Sequence, residues 1–160
     1  KKLDYECELA VVLGKDARDV PAGQTRDYIF GYTILNDVSA RDVQTAHKQW
    51  YFGKSPGRLY PHRALHRHGR CLCRLPAQAG IRSFVNGEKR QDSNTALQIF
   101  DIDHVIAELS QGMTLKAGTI IATGTPAGVG MGMDPPQFLK PGDVVRCEIE
   151  GIGTLTNPVE

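Results

Sequence analysis

The chain has 160 residues, enough for a single domain with a real core. Its 19 lysines and arginines against 18 aspartates and glutamates leave a formal net charge of +1, which argues against a nucleic-acid footprint or a polybasic membrane patch. No apolar run approaches the roughly 20 residues of a membrane-spanning helix; the N-terminus does not read as a signal peptide, and Cys7 and Cys147 fall in strand-like runs as small core residues, so a reducing, cytoplasmic setting is expected.

The first predicted strand, residues 5–13, carries Glu6 and Glu8. Side chains two apart on a strand leave from the same face, and two carboxylates held that closely repel each other unless a cation or proton intervenes. A second predicted strand, residues 28–36, runs into Asp37. A third carboxylate there completes an all-oxygen cup of the kind that suits Mg²⁺ or Mn²⁺. The ordinary reading of Glu-x-Glu is a solvated face; the apolar stretches flanking these acids favour a site.

A helix is predicted over residues 39–50, with Ser39 and Asp42 in a capping-box arrangement. Gly53-Lys54-Ser55 looks like the end of a phosphate-binding loop, but Lys48 stands where that loop needs glycine. Lys54 therefore reads as a cation able to neutralise an anionic substrate or intermediate. Further on, Asn86-Gly87 marks a two-residue hairpin after a strand at 81–85. A helix over 103–110, with Val105, Ile106 and Leu109 on one stripe, has Asp101 or Asp103 as N-cap.

A strand at 119–123 enters the glycine-rich turn 124–130, where Thr125 offers a hydroxyl and the backbone N–H groups can approach an oxyanion. Turns at 141–143 and 150–153 separate closing strands at 144–149 and 153–158. The class is α+β with strands dominating, in one domain over residues 1–160.

Several blocks together are similar to the C-terminal catalytic domain of the fumarylacetoacetate hydrolase family. They include residues 4–10, 31–33, 36–44, 53–55, 85–88, 123–130, 139–145 and 150–157, in family order. The resemblance implies a strand-rich mixed β-roll with a few short helices, and a homodimer. It implies Mg²⁺ (with Mn²⁺ or Ca²⁺ as alternatives) bound by Glu6, Glu8 and Asp37, with Lys54 as the catalytic lysine beside it. Arg41, Gln44 and Thr125 match positions that line the substrate pocket. The implied substrates are 2-oxo acids with a second carbonyl, such as acylpyruvates. The implied chemistry is hydrolysis of a C–C bond through an enolate, with isomerisation and decarboxylation open to the same intermediate. The water-activating histidine of the family lies on an N-terminal segment, expected upstream of Lys1.

The resemblance lapses from Pro56 to about Ala79. His62, His66, His68, Cys71 and Cys73 fall there among five arginines. As zinc ligands their spacings are too tight. A translated frameshift accounts better for the segment. Read from the second base of each codon, residues 60–70 permit Ile-Pro-Ile-Gly-Pro-Cys-Ile-Val-Thr-Ala-Asp, which is the family's pattern at this place. A core strand replaced by so many cations should leave Lys54 misplaced and turnover weak, so the rival to an active enzyme is an inactive family remnant. The frameshift predicts that the underlying DNA, sequenced, encodes that strand in the second frame.

Overall fold

The computed structural model describes residues 2–46, 50–55 and 78–160. It contains nine strands and three helices among those residues. β1 (Leu3–Asp4) pairs with β4 (Ser39–Ala40). A three-stranded sheet has the order β3-β2-β7, from Ile29–Asn36, Cys7–Leu13 and Ile120–Ala122. A four-stranded sheet has the order β6-β5-β8-β9, from Glu88–Asn94, Gly80–Val85, Val144–Ile149 and Gly153–Pro158. Every one of these pairings is antiparallel. The strand-dominated α+β expectation holds, and no helix among the described residues is long and apolar enough to cross a membrane.

The alternation of β2 organises the interior. Cys7, Leu9, Val11 and Leu13 share one face. Cys7 and Leu9 pack with Ile34, Ile81, Val145, Cys147 and Ile149 between the two larger sheets. Val11 and Leu13 continue the same face into a second cluster with Val20, Ile121 and Ile106. Ile106 belongs to α3 (Ile102–Ser110), whose N-cap is Asp101: its side chain accepts from the His104 N–H at 2.7 Å. Leu109, expected on the buried stripe, is 38 % exposed; Ala107 and Ser110 are buried instead. Asn86 and Gly87 both take positive φ, 52° and 86°, as a two-residue hairpin of this type requires. Cys7 and Cys147 are fully buried free thiols, as read from the sequence.

The predicted helix over 39–50 is replaced by α1 (Arg41–Ala46) and α2 (Trp50–Lys54). Ser39 does not cap it. Its hydroxyl donates to the Asp37 carbonyl at 3.0 Å, because Ser39 lies in β4 opposite Asp4. Asp42 accepts instead from the Lys2 N–H at 3.3 Å. Most of the atypical segment and its His and Cys residues lie outside the described residues, but Ala79 is fully buried in the core and Gly80 opens β5.

Gly53 is the hinge of this corner. A Cβ built there would lie 2.6 Å from Gln44 Cβ and 2.7 Å from Gln44 Cα, so α2 can approach α1 only without a side chain at 53. Gly53→Ala should push α2 outward and cost about 1–3 kcal/mol, the usual range for overpacking. Urea denaturation of the variant against wild type measures it.

Candidate functional site

β2 and the end of β3 place the acids. The Asp37 N–H donates to the Glu6 carbonyl at 2.9 Å, and the Glu6 N–H donates to Asn36 Oδ1 at 3.2 Å, so the two segments are locked where their carboxylates leave. Glu6, Glu8 and Asp37 converge: one carboxylate oxygen from each lies within 4.8 Å of the others, and all three residues are buried. Lys54, at the end of α2, spans two of them. Its Nζ donates to Glu6 Oε2 at 2.6 Å and also to Asp37 Oδ2. The expected displacement of Lys54 is thus overturned: α2 holds it in the cup.

Arg41, from the start of α1, sits on the other side of Glu6. Its Nη2 lies 2.6 Å from Glu6 Oε1, its Nε donates to Asp4 Oδ2 at 2.9 Å, and its Nη1 donates to Gln44 Oε1 at 3.0 Å. Each guanidinium nitrogen therefore has a protein acceptor, and the residue supports a carboxylate of the cup. The Thr125 hydroxyl donates to the Cys7 carbonyl at 2.9 Å and accepts from Gln91 Nε2 at 2.8 Å. Its proton is already committed to the backbone of β2.

The electrostatics follow from burial. Asp4, Glu6, Glu8 and Asp37 are four buried carboxylates, with Arg41 and Lys54 as the cations bonded to them among the described residues. Two negative charges are left over. Glu8 carries the consequence: burial above all, then the charges of Asp37 and Glu6, push its pKa up to about 7, against the Gly124 N–H and Lys54. That N–H donates to Glu8 Oε2 at 2.9 Å. Burial alone would lower the Lys54 pKa, but its hydrogen bonds to Asp37 and Glu6 raise it, so its ammonium stays charged. A buried set of four carboxylates and two cations, short of two positive charges when every acid is ionised, fits a hard divalent cation, with Glu6, Glu8 and Asp37 as the converging donors.

The whole chain matches a known protein family. The model described as fumarylacetoacetate (FAA) hydrolase C-terminal matches residues 1–160. The chain belongs to the fumarylacetoacetate hydrolase family. Within it, the chain is 46 % identical over 158 residues to oxaloacetate tautomerase YisK of Bacillus subtilis, an alignment covering 99 % of this chain and 52 % of that protein. A fumarylacetoacetate hydrolase from Exiguobacterium antarcticum superposes with a TM-score of 0.89 at 44 % identity, over 100 % of this chain and 57 % of that one. A fumarylpyruvate hydrolase from Pseudomonas aeruginosa, solved with Mn²⁺ and pyruvate, gives 0.78 at 28 % identity, over 96 % of this chain and 64 % of that one. The chain spans about half the length of the curated relatives it matches.

Three polar residues of the site were not singled out from sequence. Asp4 continues the Glu6–Glu8 alternation one step earlier, and that periodicity could have found it. Gln91, fully buried, accepts from the Cys7 N–H at 3.1 Å and holds Thr125 and the Pro126 carbonyl; Asn36 holds Glu6. Both act across distant stretches of chain and leave no local pattern.

The raised Glu8 pKa sets a pH dependence. A carboxyl whose folded pKa lies above its unfolded value keeps its proton better when folded, so its contribution is present below about pH 4.5 and lost as pH rises through about 7. The metal-free domain should lose on the order of a few kcal/mol over that window from this group. Urea melts read it. A divalent cation held at Glu8 would displace that proton, and its affinity would then rise about tenfold per pH unit up to about 7 and level off, which Mn²⁺ calorimetry across pH measures.

Proposed function

We propose that the chain is the catalytic domain of a divalent-metal-dependent enzyme acting on 2-oxo acids with a second carbonyl, of the acylpyruvate type, through an enolate. The observation that carries this reading is the convergence of Glu6, Glu8 and Asp37 with an excess of buried negative charge. Mg²⁺ or Mn²⁺ held there would polarise the carboxylate and keto oxygens of the substrate as a Lewis acid. The Mn²⁺ and pyruvate in the fumarylpyruvate hydrolase support the choice of ligand.

The chain's own residues do the rest. Lys54 stays an ammonium beside Glu6 and Asp37, so it serves as a proton donor and positive charge at the oxygen that becomes an enolate, not as a base. Arg41 holds Glu6 in place, and Gln44, bonded to Arg41 through its carbonyl, has its amide for a substrate oxygen. The Thr125 segment borders the site through the Gly124 N–H at Glu8. Hydrolysis of a C–C bond also needs a group that activates water; the histidine among the described residues, His104 of α3, is stacked on Phe100, which precedes that helix. The family's homodimer belongs to this proposal as well.

A second reading, tautomerisation, is favoured by the 46 % identity to an oxaloacetate tautomerase. Keto–enol exchange moves a proton from carbon to the keto oxygen and stops at the step these residues serve. The purified chain with Mg²⁺ or Mn²⁺ should bind the ion and speed either acylpyruvate cleavage or oxaloacetate enol–keto exchange, both followed by ultraviolet absorbance. Asp37→Asn or Glu8→Gln should weaken ion binding at least tenfold with the fold retained. Unchanged affinity in both variants would show the cup to be wrongly assigned.

A further inference from the structure

Asp4 takes no part in the chemistry proposed above, yet it is fully buried and saturated with donors. Oδ1 accepts from the N–H groups of Tyr5 at 3.0 Å and Gly130 at 2.7 Å. Oδ2 accepts from the Met131 N–H at 2.9 Å and from Arg41 Nε at 2.9 Å. Through Arg41 it is one residue removed from Glu6, whose Oε1 lies 2.6 Å from Nη2. Through the two N–H groups it pins the turn at Gly130–Met131. That turn is built for the contact: a Cβ at Gly130 would lie 2.8 Å from Asp4 Oδ1 and 1.9 Å from the Gln137 carbonyl oxygen. The other end of the same glycine-rich segment is held by Glu8, through the Gly124 N–H. Carboxylates two positions either side of Glu6 thus anchor both ends of the segment.

We propose that Asp4 is the positioning residue of the cup: its carboxylate sets the Arg41 guanidinium against Glu6 and couples the state of the cup to the order of the Gly130–Met131 turn. The proposal rests on Glu6, Glu8 and Asp37 being cation ligands. Asp4 balances Arg41. Without that balance the full guanidinium charge falls on Glu6 and competes with an ion for it. An amide cannot replace the carboxylate, because its NH₂ would face either the Tyr5 and Gly130 donors or the Met131 and Arg41 donors.

The test is Mn²⁺ calorimetry on the wild-type chain, Asp4→Asn and Glu8→Gln, with amide hydrogen exchange on the wild type with and without Mn²⁺. Asp4→Asn should bind Mn²⁺ about 10–100-fold more weakly, the range for residues that orient metal ligands, while still unfolding cooperatively. With Mn²⁺ at about 100 times its Kd, protection of the Gly130 and Met131 amides should rise up to about 100-fold, because openings that break the network lose the ion. Gly87, in the hairpin turn away from the cup, should not change. Wild-type affinity in Asp4→Asn, alongside weakened binding in Glu8→Gln, would overturn the positioning role and leave the cup standing. Lack of Mn²⁺ binding by the wild type would overturn both. Should Asp4→Asn fail to fold, the exchange experiment decides: protection at Gly130 and Met131 rising no more than at Gly87 refutes the coupling.

Discussion

Four carboxylates buried within one small region repel one another strongly in a medium that screens poorly. The corner of the molecule around β2 is arranged to make that tolerable. Arg41 and Lys54 approach Glu6 from opposite sides, each on its own short helix, and the N–H groups of Gly124, Gly130 and Met131 supply fixed partial positive charge. Removing one partner from such a set exposes an uncompensated buried charge, which is far costlier than any single bond in it is favourable. The helices, the glycine-rich segment and the sheet are therefore held together by the same electrostatic demand that makes the site receptive to a cation.

The division of labour among the cations is clear in the geometry. Arg41 has every guanidinium nitrogen committed to protein acceptors, in the planar, multi-dentate manner that suits a structural support. Lys54 is a point charge on a four-carbon stem, partly exposed, and touches two carboxylates, Glu6 and Asp37. It can exchange one oxygen partner for another with little rearrangement. One guanidinium held by three protein acceptors and one ammonium shared between two carboxylates thus divide the neutralisation of the cup between them.

Much of this was legible in the residues. Period-two spacing placed Glu6 and Glu8 on one face, the apolar run before Asp37 brought the third acid alongside, and Asn86-Gly87 announced its hairpin. Those signals are local, and local signals survive folding. What escaped notice was long-range or shared. Gln91 reaches β2 from a strand 84 residues away in sequence. Ser39 resembles a helix cap in isolation, but pairing with β1 claims it first. No property of the sequence shows that the Cys7 carbonyl accepts the proton of the Thr125 hydroxyl. Leu109 sits on an apolar stripe, yet the neighbouring surface of α3 is the one that the core covers.

Along residues 4–13 the two faces of the chain are bound to each other by parity. Cys7, Leu9, Val11 and Leu13 fill the interior while Asp4, Glu6 and Glu8 supply the acids, so loss or gain of one residue in this stretch would send the oily side chains toward the acids' position and the acids into the core. Length changes can be absorbed by loops, but not here. An insertion that renumbered this stretch would undo core and cup together.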